Sequence, residues 1–372
     1  MFIKVIKLPK KYICIIAVIF FLIFTATLII NASFAKEDAS ENENSAKNSD
    51  YIKWFDFNVS YSVLEKTAKL DINSHVNNED IKLNWIELIS YLACKYGNEF
   101  NKFKQKDLDE IVTRLKSGET ISEITENMKS YNYYYECYSS VLEEFIGSYE
   151  IESTNSESLS SASVSTNSQN LEENYTIPSK TFESKYGIKA FHPIAKGYSY
   201  NHYDDFGTSR SYGYKRLHFG NDLMGSIGTP IVATESGVVE ALGWNQYGGW
   251  RIGIRSFNGK RYYYYAHLRK DHPYAEDMYE GKIVKAGDVI GYLGMTGYST
   301  KENVNNINIP HLHFGLQLIF DESQKDGPNQ IWVDMYPIVE FLNKNRSTVF
   351  MNNKDTKDYA RKFDIIDPIV PE

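Results

Sequence analysis

The chain has 372 residues and a formal net charge of −8, with 48 acidic against 40 basic side chains. That length suits about two domains, and an acidic balance with no basic block beyond the extreme N-terminus speaks against a nucleic-acid partner. Three cysteines rule out a cysteine framework and a thiolate zinc site; with Cys14 in an apolar segment, they leave room for one disulfide, between Cys94 and Cys137.

In chain order, Lys4, Lys7, Lys10 and Lys11 precede the uncharged run YICIIAVIFFLIFTATLII at residues 12–30. As a helix this run would span about 28 Å, close to the hydrocarbon thickness of a bilayer. Lysines before it and Lys36, Glu37 and Asp38 after it orient the N-terminus inward and the remainder outward. Two readings follow: an uncleaved membrane anchor within residues 1–35, or a signal cleaved near Ala35, where Ser33 and Ala35 supply small residues. Either way the bulk of the chain is expected outside the cytoplasm. Residues 36–50 are polar and read as a stalk.

Residues 51–150 read as a small all-α accessory domain. Trp85, Ile86, Ile89, Leu92, Ala93 and Tyr96 keep helical spacing, with Asn84 as a start signal. Leu108, Ile111, Val112 and Leu115 form a second stripe ending near Gly118, and Thr120 with Glu123 makes a capping-box pattern ahead of Ile121, Ile124 and Met128. A last helix carries Tyr134, Tyr135, Tyr138, Val141, Leu142 and Phe145, an aromatic stripe that suits either a core or a sugar-stacking face. Residues 151–178, rich in Ser and Asn, read as a flexible linker separating its ends by roughly 25 Å and letting the flanking domains move independently.

From 179 to 345 short apolar runs alternate with Gly-containing turns, which predicts a mainly antiparallel β domain. Asn258-Gly259 between two alternating runs is a hairpin signal, and MYPIVEFLNK predicts a short terminal helix. Residues 346–372 are polar, end in Pro-rich sequence, and read as a tail. The overall fold class is therefore α+β multidomain.

The β region also concentrates the chemistry. RLHFGNDLMG supplies His218 and Asp222, YYYYAHL supplies His267, and NINIPHLHFGLQLIF supplies His311 and His313. Residues i and i+2 of a strand point to one face, so the last two imidazoles project together. Catalytic zinc takes three protein ligands from His and Asp or Glu and keeps a position open for water. Two imidazoles and one carboxylate suit that set, and the remaining histidines can handle protons. His272 reads as an exposed loop residue, and His192 and His202 have no evident partners. No H-E-x-x-H is present, so no helical Glu base is available. A cupin-type site would want a Glu soon after the H-x-H pair, where Gly315, Leu316, Gln317 and Leu318 stand instead. A lipoyl-type carrier, suggested by TPIVATESGVVEAL and GKIVKAGDVIGYLG, would leave the histidines unexplained.

The motifs HFGNDLMGSIGTPIVATESGVV, YYYYAHL, VKAGDVIGYLGMTGYST and PHLHFGL together resemble the M23 (LytM/lysostaphin-like) zinc metallopeptidases, bacterial enzymes that cut the peptide part of peptidoglycan. The resemblance implies a β domain of the duplicated-hybrid-motif type, one zinc ion held by His218, Asp222 and His313, and His311 and His267 as catalytic histidines. His311 would take a proton from water, and His267 would stabilise or relay charge. NHYDDFGTSRSYG resembles the segment that approaches this cleft from upstream. The implied partner is a peptidoglycan peptide, and the alternative is a catalytically idle domain of the same fold acting as a cell-wall-binding or complex-forming scaffold.

Overall fold

A computed structural model describes residues 55–153, 180–211 and 215–371. The apolar run at residues 12–30 lies outside the described residues; among those described, no helix is long and apolar enough to cross a membrane. Five helices come first: α1 (Tyr61–Val76), α2 (Trp85–Tyr96), α3 (Gln105–Lys116), α4 (Ile121–Thr125) and α5 (Tyr131–Leu142). Local chemistry accounts for several of their ends. The Asn84 side chain accepts from the backbone N–H groups of Ile86 and Glu87, satisfying two orphan donors of α2. Thr120 and Glu123 close a reciprocal capping box on α4, although that helix stops before Met128. The aromatic stripe of α5 is core: Tyr138 is fully buried and its ring meets Phe55 edge-on at 5.1 Å between centroids. Cys94 and Cys137 are both free thiols, so the disulfide allowed by cysteine count is not formed.

Helix α1 has polar residues on its buried face, and each has work there. Asp71 accepts from the Trp85 N–H at 2.9 Å and from the Tyr186 hydroxyl at 2.8 Å. Ser74 accepts from the Leu83 N–H at 2.9 Å.

After α5 come β1 (Ile146–Glu152) and β2 (Phe182–Ile188). Residues 154–179 of the expected linker lie outside the described residues, but its flanks are pinned. Strands β1 and β2 pair in unbroken antiparallel register from Ile146↔Ile188 to Glu152↔Phe182, and the Ser153 N–H donates to the Thr181 carbonyl at 2.8 Å. The helices and the β region also share one hydrophobic core, in which Trp85 stacks on Phe341 at 5.6 Å. The described helices and the β region belong to one compact unit.

The β region runs through β3 (Tyr200–His202), β4 (Ser209–Ser211), β5 (Lys215–Leu217), β6 (Asn221–Gly225), β7 (Pro230–Val232), β8 (Gly237–Asn245), β9 (Gly249–Ser256), β10 (Arg261–Ala266), β11 (Ile283–Val284), β12 (Val289–Tyr292), β13 (His311–Leu318) and β14 (Ile331–Val333), followed by α6 (Tyr336–Leu342). The main antiparallel sheet has the order β11-β8-β9-β10-β13-β6-β3, with β14 also on β13. The Asn-Gly hairpin joins β9 to β10, and Gly259 takes the left-handed φ of +76° that the turn requires. The expected tail is instead structured. A hairpin of β15 (Val349–Asn353) and β16 (Asp358–Arg361) leads to β17 (Ile365–Ile366), which pairs with β1.

Side-chain parity places Arg261 on the core side of β10 with Tyr263 and Tyr265, and all three are fully buried. The Arg261 guanidinium forks onto Glu235 at 2.7 and 2.8 Å and donates to the Ser140 carbonyl of α5 at 3.1 Å. The Tyr263 hydroxyl donates to the same carboxylate at 2.7 Å. Removing one partner strands a charge in the core, so Glu235→Leu should cost about 3–5 kcal/mol, most of it recovered in the Glu235→Leu/Arg261→Met pair. Urea unfolding of a chain beginning at residue 52 measures this; a single-variant loss below about 1 kcal/mol would mean the pair holds nothing together.

Candidate metal centre

Strand β13 lies between β10 and β6, and its register sets the site. His313 faces Asp222 of β6 on one side and Ala266 of β10 on the other. His311 lies two residues earlier on the same face, His267 follows Ala266 directly, and His218 lies four residues before Asp222. Leu312 and Phe314, between and beyond the histidines, are fully buried in the core, which fixes the parity of the strand.

Three atoms converge. His218 Nε2 and His313 Nδ1 are 2.9 Å apart, and Asp222 Oδ1 is 3.1 Å from each. Among the described residues this is the one group of three His, Cys, Asp or Glu side chains whose donor atoms come together in this way. The close approach of His313 depends on Gly220: a Cβ there would stand 2.7 Å from the His313 ring. His311 Nε2 stands farther out, 3.7 Å from the same carboxylate oxygen.

The donor chemistry fits a divalent cation. Atoms spaced this way can all lie about 2 Å from one point, the bond length zinc makes to His nitrogen and carboxylate oxygen. Without a cation, three lone pairs aimed at one point need a proton between them, and the electrostatics reflect that. Burial opposes charge on His218, but the carboxylates of Asp205 and Asp222 outweigh it and push its pKa up to about 9. Burial would raise the Asp222 carboxyl, yet hydrogen bonds from His218 and His313 hold it well below the usual carboxylate range. Burial lowers His313.

A further layer orients these groups. Asp205 takes His218 Nδ1 between its carbonyl at 3.1 Å and its carboxylate at 3.3 Å, which turns Nε2 toward the site. Arg210 Nη2 bridges Asp205 Oδ2 at 2.5 Å and Asp222 Oδ2 at 3.2 Å. The two histidines outside the triangle are oriented by backbone carbonyls. His311 Nδ1 lies 2.8 Å from the Ile309 carbonyl and His267 Nδ1 lies 2.9 Å from the Thr296 carbonyl. With Nδ1 carrying the hydrogen in each, both Nε2 atoms are acceptors. His267 takes a left-handed φ of +62°, uncommon for a residue with a Cβ, and burial drives its pKa well below the ordinary value. All five residues line a cavity of about 100 Å³.

The other histidines are elsewhere. His192 is fully buried. His202 lies beside Glu340 at 3.6 Å, and burial lowers its pKa to about 4. His272, expected to be an exposed loop residue, is half-buried and bonds the buried Asp358 carboxylate of β16 at 2.8 Å. Asp205 and Arg210 were not singled out by spacing; their only signal was their place in the NHYDDFGTSRSYG segment. Asp205→Ala should weaken metal binding about 10–100-fold, measured by competition with a chromogenic chelator, and unchanged affinity would show that Asp205 does not orient His218.

Residues 216–326 match the model of peptidase family M23. An L-Ala--D-Glu endopeptidase of Bacillus subtilis is 40% identical over 146 residues, which cover 39% of this chain and 40% of that protein. Lysostaphin of Staphylococcus staphylolyticus is 38% identical over 120 residues, covering 32% of this chain and 21% of that protein. Among solved structures, the catalytic domain of lysostaphin from Staphylococcus simulans matches at 33% identity with a TM-score of 0.30, covering 38% of this chain and 92% of that one. The chain thus spans about two fifths of the length of the first relative and about a fifth of the second. Residues 216–326 of the β region thus carry the match to peptidase family M23.

Proposed function

We propose that the chain is a zinc-dependent endopeptidase acting on the peptides of bacterial peptidoglycan. The observation that carries this reading is the convergence of His218 Nε2, Asp222 Oδ1 and His313 Nδ1 within about 3 Å of one another, beside two imidazoles with free acceptor nitrogens. The similar proteins named above, an L-Ala--D-Glu endopeptidase and lysostaphin, support the substrate class.

In this reading His218, Asp222 and His313 hold one zinc ion. When bound, zinc supplies Lewis acidity, polarising a carbonyl and acidifying water. The chain's own residues handle the protons. His311 Nε2, oriented by the Ile309 carbonyl, takes a proton from water as the oxygen attacks the scissile carbonyl carbon. It returns that proton to the leaving amine as the C–N bond breaks. His267, kept neutral by burial, offers a second acceptor 4.8 Å away, ring to ring, and orients the same water. Arg210 and Asp205 keep the ligand side chains in place.

The two members of the H-x-H pair should therefore fail differently. His313→Ala should lose zinc, while His311→Ala should keep zinc stoichiometry and lose about 10²–10⁴-fold in turnover. Metal analysis alongside a muropeptide digest separates them, and equal zinc loss would contradict the assignment. A zinc-loaded chain that leaves purified wall peptides intact across roughly pH 6–9 would instead support a scaffold.

The apolar run at 12–30 and its flanking lysines support an extracytoplasmic location for the catalytic residues, tethered or released near Ala35. Protease added to intact spheroplasts should degrade the C-terminal half, and protection would refute this.

A further inference from the structure

A second cavity, a groove of about 520 Å³, runs from His218 and His313 across the outer face of β13, β10, β9 and β8, with Trp332 on one side. Apart from His218 and His313, the mechanism uses none of the polar groups that line the groove. Tyr264 forms part of its wall, with its ring 5.9 Å from His313 and 6.3 Å from Trp332. Ile252 pairs with Tyr265 and is fully buried in the core, so the preceding Arg251 faces the groove. It stands next to Ala266, in the same cross-strand row as His313 and Asp222. Two strand spacings put it about 10 Å from His313.

The cations that line this groove are not equivalent. Lys325 pairs with Glu240. Arg216 lies over the Tyr298 ring at 5.2 Å and donates to its hydroxyl. Asp326, the acidic residue of the lining, is exposed. Nη1 of Arg251 is buried with no hydrogen-bond partner among the described residues, as is Nε of Arg216, but the Arg216 guanidinium is already held by Tyr298. A guanidinium cannot shed its charge to relieve burial, and its planar fork matches a carboxylate.

We propose that Arg251 is a specificity residue that binds a carboxylate of the peptide within about two residues of the bond presented to the metal centre, so that the groove takes acidic stem peptides in preference to neutral glycyl ones. The proposal rests on the peptidase reading only for the source of the peptide. The carboxylate could be that of the D-glutamate or of the diaminopimelate in such a peptide, and selective amidation tells them apart.

The test is calorimetric, with the zinc-loaded full chain carrying His311→Ala so that binding is read without turnover. The probes are L-Ala-γ-D-Glu-diaminopimelate-D-Ala with both side carboxylates free, the same peptide amidated at glutamate only, the same peptide amidated at diaminopimelate only, and pentaglycine. The free acid should bind at least about tenfold more tightly than one of the two amides, and the weaker amide identifies the carboxylate that is read. Adding Arg251→Gln should remove that difference by weakening the free acid, and Arg251→Lys should keep part of it. Equal affinity for all four probes, equal weakening of every probe by Arg251→Gln, or no measurable binding would each overturn the proposal. Unchanged unfolding midpoints in the Arg251 variants show that the fold is kept. A preference in binding with no hydrolysis by the wild-type chain refutes the peptidase reading alone, and hydrolysis without preference refutes the subsite alone.

Discussion

The site depends on one pairing, His313 opposite Asp222 across β13 and β6. That pair brings a carboxylate and an imidazole from positions far apart in sequence to 3.1 Å. The alternation of β13 makes the pairing hard to misplace. Leu312, Phe314, Leu316 and Leu318 fill the core face, and slipping the strand by one residue would drive both histidines into that core and bring the leucines out. The same apolar residues that stabilise the sheet therefore set the position of the donor atoms.

Around that pair, each imidazole is committed by its second nitrogen. His218 is turned by Asp205, His311 by the Ile309 carbonyl and His267 by the Thr296 carbonyl. Two neighbours on one strand thus acquire different chemistry. His313 meets the carboxylate through Nδ1, while His311 stands off and offers Nε2. Neither spacing nor shared face distinguishes them; the backbone carbonyl at residue 309 does.

Much of this was legible in the residues. Period-two alternation placed His311 and His313 on one face, Asn258-Gly259 marked the hairpin, and Thr120 with Glu123 marked a helix start, because each is a local rule. What escaped was non-local. Asp205 and Arg210 reach His218 and Asp222 from a loop and a three-residue strand, too short to show a period. Helix α1 buries Thr67, Asp71 and Ser74, which blurs its apolar stripe, since their partners belong to other elements. The polar composition between β1 and β2 described that segment itself and carried no information on whether its flanks were paired. Residues 346–366 alternate weakly, yet two hairpin strands and an added edge strand form there.

The added strand, β17, has its own consequence. It pairs with β1, Ile365 opposite Ile151 and Ile366 opposite Glu150, and β1 is the central strand of that three-stranded sheet. A ladder closed across more than two hundred positions is a late event in folding, because loop-closure entropy must be met before the contact forms. Until residue 366 has left the ribosome, β1 carries one bare edge open to other chains. Completion of this three-stranded sheet therefore waits on β17.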